Sequence, residues 1–260
     1  MPNTKLTKTK WQNHMQYGRI VYIALALAAA FVADIAFTVT QYRPPNERKV
    51  DIQLVVSSAN TDGFDEIAEN ALAVGQAFDE TLEEVTFINL AYDPDDKSDY
   101  YGVQKYMVML AAQEGDIYIL PYCLLEQLAG QGTLVPLEGY IEEGVIDAGD
   151  QDLAPLTFYE PIDEQGKVSD AQHVYGISCE AWYGMLSEEI LIDNRNLYAC
   201  IMAFSKNQDT TAHVLQSIQS QLIAPKPDWL VEAEAKAEAE EAGAETAPTD
   251  TAADAEGTGT

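Results

Sequence analysis

The chain has 260 residues, of which 43 are acidic and 14 are basic, so its formal net charge is −29 at pH 7. Nucleic-acid-binding proteins need clustered Lys and Arg side chains to neutralise phosphates, so this balance argues against a nucleic-acid partner. Hydrophobic residues make up 47% of the chain, which excludes global disorder, and three cysteines are too few for a disulfide-stapled mini-protein.

The N-terminal part of the chain predicts a membrane anchor. Residues 1–19 are basic and contain no acid, whereas residues 20–41 are apolar and carry Asp34 as their single charge. A helix of that length rises about 33 Å, which matches the hydrocarbon core of a bilayer. We predict a transmembrane signal-anchor helix that crosses the cell membrane once, with a cytoplasmic N-terminus and an extracytoplasmic main domain. Cleavage as a signal peptide near residues 28–30 is the alternative.

Asp34 is the unusual residue of this predicted helix. A carboxylate at the centre of a bilayer costs about 2.5–3.5 kcal/mol and less toward the interface. Asp34 lies in the outer half of the span, where it could contact a partner helix in a membrane protein complex. The simpler interpretation is a residue tolerated through protonation or through water near the outer leaflet.

Two polar segments flank the predicted domain. Residues 42–50 form a short linker that contains two prolines, and residues 51–230 form the extracytoplasmic domain, with 32 acids and 6 bases. Residues 231–260 contain small and acidic residues that cannot bury a core, so we predict a disordered acidic tail. The charge of the domain favours solubility outside the cell, and it is also compatible with a cationic ligand or a basic partner.

The domain shows strands and helices in alternation. Aliphatic and β-branched runs predict strands over residues 51–59, 83–91 and 116–121, each followed by an apolar stripe at helical spacing. Later segments predict a short helix within 134–147, a loop over 148–172, a strand or bent strand pair over 173–187, a strand over 196–207 and a helix over 210–223. This order predicts an α/β fold with a mostly parallel sheet and helices on both faces.

Three segments of the domain follow an order that is known from one protein family. Residues 115–141 contain a strand that ends in Pro121, a helix, and a Gly-x-Leu-x-Pro-Leu turn at residues 132–137. Residues 175–177 read Tyr-Gly-Ile, and residues 204–218 read as a late strand-to-helix segment. Taken in order over residues 51–223, these segments resemble extracellular solute-binding proteins of the type II periplasmic-binding fold. The resemblance implies a bacterial, transport-related protein that binds a small solute.

The chain departs from that family in its length. Such proteins hold the ligand between two lobes, but here only residues 148–195 could form a second lobe, and they are too few. The resemblance therefore implies a single three-layer lobe with a truncated partner or none. Such a lobe cannot close around a ligand by hinge motion. The Cys of a lipoprotein anchor is also missing after the apolar segment.

The candidate binding site lies where ligands bind in open parallel sheets, beyond the carboxyl ends of the strands. Hydroxyls and N–H groups before a helix suit an anion, and aromatic rings can stack on a sugar or cover an apolar ligand. The candidates share this position after a predicted strand: Ser57, Ser58, Asn60, Thr61, Asp93, Tyr122, Trp182 and Tyr183. For any one of them, an ordinary capping or rim role is the simpler interpretation.

Metal-binding and catalytic motifs are weak in this sequence. Residues 93–99 resemble a calcium loop, but Lys97 and Ser98 stand where a ligand and the turn glycine are expected. Cys123 and His213 would have to meet in space to form a thiol–imidazole pair. Cys179 and Cys200 predict buried thiols, or a disulfide if their strands are neighbours. We therefore expect a non-enzymatic protein with no metal and no cofactor.

Two functional hypotheses of different classes remain open. The first is a membrane-anchored binding module that holds a small solute at the strand ends. The second is a structural or adaptor membrane protein whose reduced lobe or transmembrane helix contacts a partner protein. A concave pocket lined by Tyr122 and Trp182 favours the first, whereas a flat strand-end face with an exposed apolar patch favours the second. The family resemblance gives the first hypothesis priority.

Overall fold

The structure is a computed structural model that describes residues 8–162, 166–167, 169–187, 190, 192–233 and 235–236. It divides the chain into two compact units, Met1–Pro44 and Pro45–Thr260. Most of the predicted acidic tail lies outside the described residues.

The first unit contains one long helix, α1, over Lys8–Thr40. Within the described residues, its part Ile20–Thr40 is the one helix long and apolar enough to cross a membrane. Every side chain from Ile20 to Thr40 is exposed, Asp34 included. A helix that is apolar all round suits a lipid environment, and a signal sequence shares this character.

Among its described residues, the second unit contains seven strands, five α-helices with defined bounds and further helical residues at 228–233. The strands are β1 (Lys49–Val56), β2 (Glu84–Ala91), β3 (Ile117–Pro121), β4 (Thr157–Tyr159), β5 (Gln172–Val174), β6 (Ile177–Ser178) and β7 (Leu197–Ile201). The helices are α2 (Asp65–Phe78), α3 (Tyr100–Ala112), α4 (Tyr122–Gly130), α5 (Glu138–Glu142) and α6 (Gln208–Leu222). The predicted alternation of the first three strands with helices is confirmed.

The main sheet has the strand order β2-β1-β3-β7-β6. Strand β1 pairs in parallel with β2 and β3, whereas β7 runs antiparallel to β3 and β6. Four strands therefore point one way, and the sheet is mostly parallel as predicted. The reversed β7 was not predicted, and its direction places Leu197 at its start opposite Pro121 at the end of β3.

A two-stranded antiparallel sheet corrects the predicted loop over residues 148–172. Strand β4 lies inside that segment, and β5 begins at its last residue. Each of these strands is three residues long, so neither is long enough to show the alternation by which a strand is recognised. The predicted bent strand pair over 173–187 corresponds to β5 and β6, followed by a 3-10 turn over Tyr183–Leu186.

The core consists of two hydrophobic clusters, one on each face of the main sheet. Successive strand residues point to opposite faces, so Ile52 and Leu54 belong to one cluster and Val55 to the other. Residues of α2 and α6 complete the first cluster, and residues of α3 and α4 complete the second. The unit is thus a three-layer arrangement with helices on both faces of the sheet.

The two buried cysteines, Cys179 directly after β6 and Cys200 on β7, are free thiols. Cys179 belongs to the cluster on the α2 and α6 face, whereas Cys200 belongs to the cluster on the opposite face. A disulfide between them is therefore excluded in this fold, although β6 and β7 are neighbouring strands. The alternation of side chains along the strands decides this, because it directs the two thiols to opposite faces of the sheet.

Candidate functional site

A hollow of about 310 Å³ lies at the carboxyl ends of β1, β2 and β3. We call it the strand-end hollow. Its walls are the ends of these three strands, the residues that follow β1 and β2, and the segment before β7. The residues that line it are Val55, Val56, Ser57, Ser58, Tyr92, Asp93, Pro94, Asp95, Pro121, Ile192, Asp193, Arg195 and Asn196.

Three of the predicted site residues meet in the strand-end hollow. Ser57 and Ser58 follow β1 and are exposed, and Asp93 follows β2 and is half-buried. The parallel pairing of β1 with β2 places the two strand ends side by side, with Val56 opposite Ala91. The hollow therefore presents two hydroxyls and a carboxylate at one edge of the sheet.

The acidic loop that begins at Asp93 is held together by its own carboxylates. The side chain of Asp93 accepts a hydrogen bond of 3.0 Å from the backbone N–H of Asp95. Asp96 accepts bonds from the N–H and hydroxyl of Ser98, and these hydrogen bonds lower the pKa of Asp96. Asp99 accepts from the N–H groups of Gly102 and Asp93. These carboxylate acceptors close a series of local turns along the loop.

Within the described part of the chain, no group of three or more His, Cys, Asp or Glu side chains is placed to hold a metal ion. The acidic residues of the loop that line the strand-end hollow are Asp93 and Asp95.

Sequence reasoning missed Arg195 and Asp193, which form the opposite wall of the hollow. The guanidinium donates to the Asp193 carboxylate from Nε at 2.9 Å and from a terminal nitrogen at 2.5 Å. These hydrogen bonds lower the pKa of Asp193. The pair reaches the strand ends because β7 runs backward, so the residues before it lie beside Pro121. The local sequence around the pair gives no sign of this position, because it depends on the direction of β7.

Tyr122 is packed away from the strand-end hollow. Its hydroxyl donates to the carbonyl of Pro155 at 3.0 Å, and its ring lies 5.6 Å from that of Tyr198 and 6.2 Å from that of Phe158. It therefore joins the start of α4 to β4 and β7. This placement gives the ring a packing role.

Trp182 and Tyr183 line a second hollow of about 300 Å³ together with Asp150, Glu180 and other residues. Trp182 is only 1% exposed and belongs to the core cluster on the α2 and α6 face. Little of its ring is therefore available for stacking on a ligand. A pocket lined by both Tyr122 and Trp182 is not formed by the described residues.

Asn60 and Thr61 have local roles at the turn before α2. The Asn60 side chain accepts a hydrogen bond from the N–H of Asp62, as expected of a cap. Thr61 lines a third hollow, which lies beside β2. Neither of them lines the strand-end hollow.

The candidate nucleophile pair lies on separate elements. Cys123 is on α4, whereas His213 is on α6 with its ring 4.3 Å from that of Phe78. Burial and the nearby Asp95 raise the pKa of the Cys123 thiol, which lowers the fraction of reactive thiolate. This environment does not activate Cys123 as a nucleophile.

No protein-family model matches the chain, and no curated protein matches its sequence. An extracellular solute-binding protein family 1 member from Alicyclobacillus acidocaldarius is 14% identical over 53% of this chain and 29% of its own, with a TM-score of 0.30. An ABC substrate-binding protein from Listeria monocytogenes, solved in complex with cycloalternan, is 18% identical over 49% of this chain and 28% of its own, with a TM-score of 0.26. The chain spans less than a third of the length of either protein.

Proposed function

We propose that this protein is a non-catalytic, solute-binding module whose site is the strand-end hollow. The observation that carries the proposal is the hollow itself, in which Ser57, Ser58 and Asp93 face the segment with Arg195 at the carboxyl ends of parallel strands. Ligands of open α/β sheets bind at this edge. The proposed site keeps Ser57, Ser58 and Asp93 of the predicted site. It adds the Asp193–Arg195 pair and omits the other predicted residues.

The chemistry of the hollow favours a small polar solute. Its walls offer hydroxyl donors and acceptors, carboxylate acceptors and one guanidinium, so a ligand with several hydroxyl, amine or carboxyl groups can form directional bonds. A volume of about 310 Å³ lies at the lower end of the range for small-molecule pockets. Since a single lobe cannot enclose its ligand, we expect modest affinity and fast release.

We further propose that α1 anchors the module to the cell membrane, with the second unit outside the cytoplasm. The apolar helix over Ile20–Thr40 and the basic residues before it support this topology. If α1 is retained, the protein stays with membranes after alkaline extraction, and its intact mass includes residues 20–41. A product that begins just after residues 28–30 would show instead that the segment is a cleaved signal.

The solute site is tested by a thermal-shift screen of the full chain in detergent micelles. The panel contains sugars, amino acids, peptides, polyamines and divalent cations, and a ligand at a hundred times its dissociation constant adds about 2.7 kcal/mol. We expect the stabilising solute to lose its effect in a Ser57→Ala, Asp93→Asn double variant, in which the new amide oxygen can still accept the turn hydrogen bond. Glu126→Gln, an exposed change on α4, is the matched control.

The screen separates specific binding from charge screening. Equal stabilisation by all divalent cations, or equal loss of the shift in the double variant and in the control, contradicts a site in the strand-end hollow. If no compound in the panel stabilises the protein, a solute site in the strand-end hollow is also contradicted, and a membrane adaptor function is favoured.

The second candidate function is a membrane adaptor, and the exposed face of α3 favours it. Tyr101, Met107 and Val108 are 86%, 55% and 66% exposed, and Tyr100 and Val103 extend the same apolar surface. This helix contains no acid, although the domain around it is strongly acidic. Interface cores are depleted in charge and enriched in Tyr and Met, so the face suits contact with a partner's apolar surface.

The adaptor function is tested by chemical cross-linking in intact membranes. A Tyr101→Lys, Val108→Lys variant should lose a specific cross-linked species that the native chain forms. A Glu142→Gln variant on α5 should keep it. An unchanged cross-linking pattern in the lysine variant would exclude the α3 face as the contact surface.

A further inference from the structure

The outer edge of β2 is open in the described part of the chain. Strand β2 is eight residues long and lies at the end of the main sheet, where β1 is its one strand partner. Natural proteins usually cover or charge such edges, because unpaired N–H and C=O groups can pair with another strand. Here Lys105 covers one end, since its Nζ donates to the carbonyl of Asn89 at 3.2 Å. No strand of the described chain covers the half near Glu84.

The third hollow, which Thr61 lines, is a groove of about 410 Å³ that lies beside this half of β2, between the strand and α2. We call it the edge groove. Its floor is apolar: the rings of Phe64 and Phe87 stack with centroids 4.2 Å apart, and Leu72 lies beside them. The two rings are fully or almost fully buried, so the accessible apolar surface of the groove comes from the half-buried Ala68 and Leu72 above them. An extended chain laid along β2 would place alternate side chains over this floor.

The rim of the edge groove is acidic. No Lys or Arg is among the residues that line it, whereas its acidic residues are Asp62, Asp65, Glu69, Glu83 and Glu84. At one end the chain already places a cation against this rim, since Arg48 donates to Glu83 at 2.8 Å. The rim therefore complements a chain that carries Lys or Arg side chains.

The charge of the rim also selects among occupants. A second copy of the chain would bring the same acidic rim to the same edge, and like charges facing each other are unfavourable. The acidic residues after 231 would be repelled in the same way. A basic segment of another protein has neither disadvantage.

We propose that the β2 edge and the edge groove bind an extended, Lys- or Arg-containing segment of a partner protein by strand addition. Main-chain hydrogen bonds to β2 would hold the segment, apolar side chains would pack against the half-buried Ala68 and Leu72 of α2, and basic side chains would meet the rim. This surface is separate from the strand-end hollow, so the inference does not depend on solute binding.

The probe for this site is a synthetic peptide that carries lysine and valine on both faces of the strand, about seven residues long to match β2 at about 3.3 Å per residue. Its binding to the full chain in detergent micelles is measured by fluorescence anisotropy at physiological salt. A second peptide with the same sequence carries N-methyl groups at alternate amides, which keep the charge but remove the donors along one edge. A third peptide replaces lysine with glutamate.

Two protein variants are matched in charge. The rim variant combines Asp65→Asn, Glu69→Gln and Glu84→Gln, and the control variant combines Glu126→Gln, Glu142→Gln and Glu143→Gln on other exposed positions. Each exposed charge pair contributes little alone, so we expect the rim variant to bind the lysine peptide about tenfold more weakly and the control variant to bind it nearly as the native chain does.

Strand addition is supported if the lysine peptide binds, the N-methyl and glutamate peptides bind at least about tenfold more weakly, and protection from hydrogen exchange increases at residues 84–88. It is overturned if the N-methyl peptide binds equally well, or if the two variants are weakened alike, because binding would then be non-specific attraction to an acidic protein. Absence of binding by the lysine peptide overturns it too. If self-association of the chain competes with the peptide, the proposal of a basic partner is overturned, and a second copy of the chain is the occupant of the β2 edge.

Discussion

At the scale of single residues, two buried tyrosines of the same cluster differ in their hydrogen bonding. The Tyr118 hydroxyl donates to the carbonyl of Glu114 at 2.7 Å, whereas the Tyr106 hydroxyl has no partner among the described protein atoms. Burial raises the pKa of both phenols far above the usual value, so both are neutral donors at any physiological pH. Their contributions to stability should differ.

We expect Tyr118→Phe to lower the free energy of unfolding by about 1 kcal/mol, because it removes a satisfied hydrogen bond. Tyr106→Phe removes a buried polar atom without a protein partner and should leave stability unchanged or raise it slightly. Chemical denaturation of the full chain in detergent measures both. Equal destabilisation by the two substitutions would contradict the difference in bonding.

Single residues also show why the candidate site was only partly predictable. Ser57, Ser58 and Asp93 could be found because they directly follow recognisable strands of a parallel pair. Asp193 and Arg195 could not, since their position depends on the direction of β7. The burial of Trp182 depends on contacts between distant parts of the chain, which no local pattern reveals.

At the scale of elements, the long periodic segments were predictable and the short ones were predictable only in part. The strong apolar runs of β1, β2 and β3 and the stripes of α2 and α6 gave their positions within a few residues. Strand β4 lies in the segment predicted as a loop, whereas β5 and β6 correspond to the predicted bent strand pair. Each of the three has only two or three residues and forms through tertiary pairing.

The close packing of α2 depends on Gly75. A Cβ added there would lie 2.4 Å from Cδ2 of Leu82 and 3.0 Å from Cγ2 of Val214 on α6. We expect Gly75→Ala to destabilise the unit by about 1–3 kcal/mol through overpacking, although alanine favours helices. Thermal unfolding measures the change.

Gly139 on α5 is the matched control for Gly75. A Cβ added at Gly139 has no neighbouring atom within 4 Å, so Gly139→Ala should be neutral or stabilising by up to about 1 kcal/mol. If Gly75→Ala were as well tolerated as Gly139→Ala, the close approach of α2 to Leu82 and α6 would be wrong.

At the scale of the whole molecule, the dominant property is the net charge of −29. Self-repulsion of so many carboxylates destabilises a compact state, and salt screens it over about 10 Å at 0.1 M ionic strength. We therefore expect the melting temperature of the full chain to rise as NaCl is increased from low concentration. A melting temperature that falls with salt would show that attractive ion pairs outweigh the repulsion.

The fold class of the domain was predictable, because the alternation of strands and helices along the chain restricts the topology of the sheet. The ligand was not, since a class of fold hosts many functions. What the structure adds is the separation of three surfaces: the strand-end hollow, the apolar face of α3, and the β2 edge with its acidic groove.

The most direct test of the central claim is hydrogen–deuterium exchange of the full chain, with and without the solute that gives the largest thermal shift. If the strand-end hollow is the binding site, protection should increase at residues 57–58, 92–95 and 195–196, while residues 147–151 and 178–183 of the second hollow exchange as before. Protection confined to the second hollow, or spread evenly over the acidic surface, would contradict the account.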